Sequence, residues 1–191
     1  MKKFKLGFIV GRFQFVHKGH EQLIDLGLEL CEKFVVVLGS ANESRTERCP
    51  FTFDERKEML EKIYGKDRLI ILPIVDIGIG YVPEWGKYIM NTIKFHCGEY
   101  PDFCIRGEEN NRSNWIDKEE FKITELVVSR DKIQISATRI RNHLSANTYT
   151  ENGTEFSRSK IDYSLYMSDK YTYDDKRKYS EILKSIEKEK K

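Results

Sequence analysis

Residues 5–20 read KLGFIVGRFQFVHKGH. The run Lys5–Val10 is short, mostly apolar and closed by Gly11, as a buried strand would be. The segment Gly19–Lys33 then repeats Leu23, Leu26, Gly27 and Leu30 at helical spacing, with charged residues between. The stretch therefore predicts a strand that runs through a short turn into a helix N-terminus. Such a junction presents free backbone amides and the positive end of the helix dipole. Gly11 lets the backbone approach an anion, and Gly19 keeps a Cβ out of the first helical turn. His17 and His20, three apart, share one side of that turn. Arg12 and Lys18 add fixed positive charge. These features suit a polyphosphate, although the GxxxxGK[ST] loop is absent. By themselves the two histidines also read as metal ligands lacking a third partner nearby, or as ordinary helix-start residues.

The alternation continues along the chain. Phe34–Leu38 (FVVVL) predicts a fully buried strand, ended by Gly39. Thr52 and Glu55 form a capping-box pattern for a helix reaching Tyr64. Leu69–Leu72, Phe103–Arg106 and Leu126–Val128 are further strand candidates. Pro83 opens a helix that carries Trp85 to Phe95, and Ser136 opens one toward Ala146. Continuous apolar strands between amphipathic helices predict an α/β fold, a Rossmann-like doubly wound parallel sheet. Ligands of such sheets bind outside the carboxyl ends of the strands, where strand order reverses.

Composition sets the outer bounds. The chain has 191 residues, 39% of them apolar, enough for one domain with an appendage. Lys+Arg is 33 against 31 Asp+Glu, a net charge of +2, which argues against a nucleic-acid or membrane-surface binder. No apolar run approaches the ~18–20 residues of a spanning helix, and Leu6–Val10 is shorter than a signal-peptide core. A cytoplasmic protein is expected, and a homo-oligomer is allowed. Cys31, Cys49, Cys97 and Cys104 form no CxxC pair and read as reduced thiols, with no metal site expected. After Asn147 the composition shifts: residues 147–191 hold ten Lys/Arg, nine Asp/Glu and six of the ten tyrosines. We expect a catalytic domain over residues 1–146 and a charged, Tyr-rich helical extension over 147–191. In that extension Tyr149–Ser159 is polar and turn-like, and Tyr179, Ile182, Leu183 and Ile186 mark one helical face.

A second motif, Ile135-Ser136-Ala137-Thr138-Arg139-Ile140-Arg141, places Ser and Thr at a helix start with Arg141 in its first turns. Hydroxyls, free amides and a guanidinium fork suit phosphate oxygens, as they also suit a plain N-cap with surface arginines.

GRFQFVHKGH resembles the HxGH signature of the nucleotidyltransferase superfamily. More narrowly, it is similar to the GRFQPxHxGH form of archaeal-type nicotinamide-mononucleotide adenylyltransferases and their bacterial relatives. ISATRIR resembles the superfamily's ISSTxxR motif. Gly39-Ser40-Ala41 with Cys49-Pro50-Phe51-Thr52 and Glu55-Arg56 resembles the family's GSA…NPFTxxER stretch. Phe15 stands where the family usually has Pro, and Cys49 where it has Asn.

The resemblance implies adenylyl transfer from ATP to nicotinamide mononucleotide, giving NAD and pyrophosphate, with Mg²⁺ carried by the ATP. It implies that His17, His20 and Arg12 are catalytic and that Gly11, Phe13, Lys18, Gly19, Ser136, Thr138 and Arg141 bind ATP. It assigns Ser40, Asp76, Trp85 and Gly107 to the pyridine mononucleotide, with Trp85 stacked on the cationic ring. The bland reading of Trp85 is a core aromatic. The same chemistry with another acceptor (nicotinate mononucleotide, phosphopantetheine, FMN or a polyol phosphate) and a non-catalytic nucleotide-binding regulator are the alternatives.

Overall fold

Parallel strands buried on both faces need continuous apolar side chains, and the computed structural model shows where this chain supplies them. It describes residues 2–80, 82–108, 115–129, 148–151, 154–157 and 167–188. β1 (Phe4–Gly11), β2 (Cys31–Leu38), β3 (Ile70–Pro73), β4 (Phe103–Gly107) and β5 (Thr124–Val128) form one sheet in the order β3-β2-β1-β4-β5. Every pairing in it is parallel. Successive residues of the central strands alternate between two cores. Ile9, Phe34, Val36, Leu38 and Ile105 point to one face. Phe8, Val10, Val35, Val37 and Cys104 point to the other.

The helices divide between those faces. α1 (Lys18–Leu30) and α2 (Phe53–Tyr64) cover the first, through Leu23, Ile24, Met59, Leu60 and Ile63. α3 (Pro83–Cys97) covers the second, through Ile89, Met90 and Ile93, beside Trp115 and Phe121. The chain winds outward from β1 to β3 and then crosses back to β4. A right-handed crossover in the reversed direction puts its helix on the opposite face. The doubly wound expectation therefore holds, and the switch in strand order lies between β1 and β4.

Local signals explain most boundaries. α2 has the capping box read from the sequence: the Glu55 amide donates to Thr52 Oγ1 and the Thr52 amide to Glu55 Oε2. α3 starts on Pro83 and ends at Gly98 in the left-handed conformation. α1 stops at Leu30, short of the expected Lys33, and β2 begins at once with Cys31, three residues earlier than predicted. The Cys31 amide donates back to Gly27 O, so one residue both caps the helix and opens the strand. The four cysteines are free thiols. No helix of the described residues is long and apolar enough to cross a membrane.

Beyond residue 147 the stretch read as turn-like contains a ribbon. β6 (Thr148–Glu151) and β7 (Thr154–Ser157) pair antiparallel. β-Branched and aromatic residues favour strands, and the Asn-Gly dipeptide between the two runs is a hairpin signal that outweighs their polarity. α4 (Tyr173–Lys188) follows, and Tyr179 and Leu183 of its expected face are buried in the α1/α2 core.

One buried cation ties the carboxyl ends of β1 and β2 to α2. Arg56 is fully buried. Its guanidinium donates to Arg12 O at 2.6 Å, Gly39 O at 2.7 Å, Ser40 O at 3.2 Å and Thr52 O at 3.1 Å. It makes no ion pair with any described carboxylate. Burial lowers its pKa, yet an arginine keeps its charge. Four carbonyls thus share one planar fork. Arg56→Met removes the donors and strands those carbonyls, and should lower stability by about 2–4 kcal/mol in urea unfolding. Arg56→Lys, whose single ammonium cannot reach all four, should recover only part of the loss.

Candidate active site

The first motif folds into two neighbouring pieces around β1's end. Gly11 and Arg12 leave the strand and join a cleft of about 490 Å³, whose walls include Gly39, Ser40, Arg48, Asp76 and Trp85. The cleft lies over the carboxyl ends of β1, β2 and β3. Ser40, in the left-handed conformation (φ 48°), turns the chain off β2. The Ala41 amide donates to Ile74 O at 2.9 Å, and the Asp76 amide to Asn42 Oδ1 at 3.0 Å. The loops after β2 and β3 are thereby stitched into one wall. Asp76 Oδ2 lies 3.9 Å from Arg48, and its Oδ1 accepts from the Gly78 amide at 3.1 Å.

Trp85 reaches the cleft from the first turn of α3. Its ring centroid is 5.2 Å from that of Trp115, which also meets Phe8 edge-on. Gly86 is what permits this: a Cβ there would come within 1.9 Å of Trp115 O. Trp115 carries no local sequence signal, because it reaches the site only through the fold.

The histidines sit at the other piece, the N-terminus of α1. His17 is the N-cap and His20 the third residue of the helix. Each caps the other: the His17 amide donates to His20 Nδ1 and the His20 amide to His17 Nδ1, both at 3.4 Å. The rings stack with centroids 3.7 Å apart, and Phe13 packs 4.5 Å from His20. Since each Nδ1 accepts, the ring proton belongs on Nε2. Burial pushes His20 down to about 3, against a hydrogen bond with the Phe15 backbone that acts the other way. His20 is therefore a neutral donor at pH 7. Lys18 pairs with Asp169 at 3.0 Å, and Gly19 is buried in the first turn.

The structure thus brings Gly11, Arg12, Ser40, Asp76 and Trp85 to one cleft, while His17, His20, Phe13, Lys18 and Gly19 gather on the adjoining helix start. Gly107 ends β4 on the far side of the strand-order switch and does not line the cleft. Ser136, Thr138 and Arg141 lie outside the described residues. Three polar residues were missed as site elements. Arg48 had no periodicity or motif to mark it. Gln14 lies within the GRFQFVHKGH motif, but its role needs the fold: its Oε1 accepts from the buried Phe51 amide at 2.9 Å. Arg56 lies in the Glu55-Arg56 stretch, and its role likewise needs the fold. Cys49, where the family has Asn, is buried, and burial followed by Glu43 raises its thiol pKa, so it adds no anion here. Among the described residues no group of three or more His, Cys, Asp or Glu could hold a metal ion.

Residues 8–152 match the cytidylyltransferase-like family. Over 95 residues the chain is 37% identical to the nicotinamide-nucleotide adenylyltransferase of Pyrococcus abyssi, covering 47% of this chain and 50% of that protein. Over 144 residues it is 31% identical to the enzyme of the same name from Thermococcus sibiricus, covering 72% of each. The chain spans about half the length of the first of these relatives. Its fold resembles a bifunctional NMN adenylyltransferase/ADP ribose pyrophosphatase from Francisella tularensis, complexed with AMP and a manganese ion. That match has a TM-score of 0.70 and 20% identity, over 98% of this chain and 53% of that one. The nicotinic acid mononucleotide adenylyltransferase of Plasmodium falciparum aligns with a TM-score of 0.52 and 16% identity, over 95% and 98%. At these identities the two structures speak to the fold alone.

The neutral His20 has a thermodynamic signature. Its folded-state pKa lies below that of the unfolded chain, so the unfolded chain takes up the proton first. Stability is full above the ordinary histidine value of 6.5 and is lost as pH falls toward about 3. The Tm of the ligand-free protein should fall across that window. In His20→Asn, whose Oδ1 can replace the accepting Nδ1, the fall should be shallower.

Proposed function

Because the chain belongs to the cytidylyltransferase-like family, we propose that it transfers the adenylyl group of ATP to nicotinamide mononucleotide, releasing pyrophosphate and forming NAD. The observation that carries this reading is the reciprocal histidine cap at the N-terminus of α1, beside a cleft walled by Arg12, Asp76 and Trp85. An oxygen of the acceptor 5′-phosphate attacks the α-phosphorus of ATP, and the bond from that phosphorus to the bridging oxygen breaks. The electron pair leaves with pyrophosphate. Such a transfer needs position and charge stabilisation and no covalent enzyme intermediate.

The Nε2–H groups of His17 and His20 and the free amides of α1 donate to triphosphate oxygens as charge builds on them. A neutral His20 suits this task, since it enters the reaction with a proton to share and no charge to desolvate. Arg12 lies at the junction of the two pieces and bridges the phosphates from the cleft side. The proposed roles of Lys18, Ser136, Thr138 and Arg141 are to hold the leaving pyrophosphate, Lys18 exchanging its exposed partner Asp169 for it. Trp85 offers an indole face to the cationic pyridinium, backed by Trp115. Ser40 and Asp76 are assigned to the mononucleotide, with Asp76 oriented by Arg48. A divalent ion, which we take to be Mg²⁺, arrives with the ATP and takes its ligands mainly from phosphate and water. The free thiols and the use of ATP support a cytoplasmic site of action.

The test is an assay of the folded protein with MgATP and a panel of acceptors: nicotinamide mononucleotide, nicotinate mononucleotide, FMN, phosphopantetheine and a polyol phosphate. NAD and pyrophosphate in equal amounts are expected. Turnover on another acceptor alone would overturn the substrate, and none on any acceptor would overturn the reaction. His20→Ala should lower kcat by ~10²–10³. Trp85→Ala should act chiefly on the KM for the mononucleotide, raising it about 3- to 30-fold.

A further inference from the structure

The turn that delivers the histidines is held from outside itself. Phe15 has φ 110°, far into the region that bulky L residues avoid. A proline ring fixes φ near −65° and cannot take this value, so the turn differs at this point from one built on GRFQP. A strained backbone persists only where its surroundings over-determine it. Here the surroundings come largely from the C-terminal segment. The buried Phe15 ring meets Tyr171 at 6.0 Å and Tyr179 at 5.8 Å, both edge-on, with Phe51 at 6.1 Å.

Three more contacts run between the same segments. The Tyr171 hydroxyl donates to Val16 O at 3.3 Å. Met167 forms an antiparallel bridge with His17. Ser168 is hydrogen-bonded to the Glu21 side chain in the first turn of α1. The clasping segment is itself anchored. Thr172 and Asp175 cap α4 reciprocally, Lys62 of α2 bonds Asp175, and Lys178 bonds Glu58 at 2.8 Å. The contacts therefore bracket His17, reaching residues 15, 16, 17 and 21 from one short stretch.

We propose that residues 167–171 are a clasp that sets the His17/His20 pair in its reacting position, with Tyr171 as its positioning residue. Tyr171 touches no reacting atom; it holds the Phe15 ring and the Val16 carbonyl, on the two residues before His17. The clasp supplies through tertiary packing the rigidity that the local sequence lacks at Phe15. Its kinetic readout rests on the proposed adenylyl transfer, while its structural readout does not.

The test uses the full chain. Tyr171→Phe removes the bond to Val16 O and keeps the ring; Tyr171→Ala removes both. Expected are losses in kcat of about 3- to 10-fold for Tyr171→Phe and ~10²-fold for Tyr171→Ala. The KM for the mononucleotide should stay within twofold, since Trp85 and Asp76 lie on another wall. The ring nitrogen resonances of His17 and His20 in the ligand-free protein should shift in both variants. A merely structural role would lower Tm and leave folded molecules with native resonances and native kcat, and that result would overturn the proposal. If Tyr171→Ala does not fold, Tyr171→Phe decides by the same criteria. If the wild type makes no dinucleotide, the proposed function fails and the imidazole resonances still judge the clasp.

Discussion

A parallel sheet that binds ligands at its carboxyl ends must bring several loop carbonyls close together without water between them. Arg56 solves that problem in this chain. Left alone, the carbonyls of Arg12, Gly39 and Ser40 would be acceptors crowded at the ends of two neighbouring strands. A guanidinium has enough donors, in a fixed plane, to satisfy them together with Thr52 O. The cost is an arginine buried without a carboxylate partner among the described residues. A carboxylate there would cancel the positive charge that the four carbonyls share. The clamp thus sets the shape of the turn at Arg12 and leaves positive charge beneath it.

Arg12 joins the two pieces of the site. On one side it borders the cleft walled by Ser40, Asp76 and Trp85. On the other the chain runs through the Phe13–Val16 turn into the paired histidines. Charge is placed unevenly between them. The cleft holds Arg48 beside Asp76, a partly neutralised pair. The helix start holds stacked imidazoles, where two positive charges 3.7 Å apart would repel. Burial keeps His20 neutral, so the protein avoids that repulsion.

The fold was legible because its signals are local. Apolar runs ended by Gly11 and Gly39, the Thr52/Glu55 box and Pro83 each act within a few residues. The strand start at Cys31 was not legible, since it depends on helix and strand sharing one residue with no loop. The histidines were legible through the GRFQFVHKGH motif, and Trp85 through the family resemblance. The roles of Gln14, Arg48, Arg56 and Trp115 were not, because each acts across a long sequence separation. Gln14 bonds the amide of Phe51 and Arg56 the carbonyl of Arg12, and neither pairing leaves a trace in periodicity.

The C-terminal segment shows the same limit from another direction. Its charge and tyrosine content mark it as different from what precedes it, which reads as an appendage. Yet Tyr171, Tyr179 and Leu183 are buried with Phe15 and Phe51 in a core that also contains the central strands. Composition registers the solvent-facing majority of α4, whereas a few buried aromatic residues decide where the helix sits. Aromatic pairs packed edge-on contribute ~0.5–1.5 kcal/mol each beyond the area they bury. Several such pairs converge on Phe15, the one residue of the turn whose backbone most needs support. Rigidity that a proline would supply locally is here distributed over residues more than 150 positions apart, and the histidine turn and α4 are in that sense one structural element.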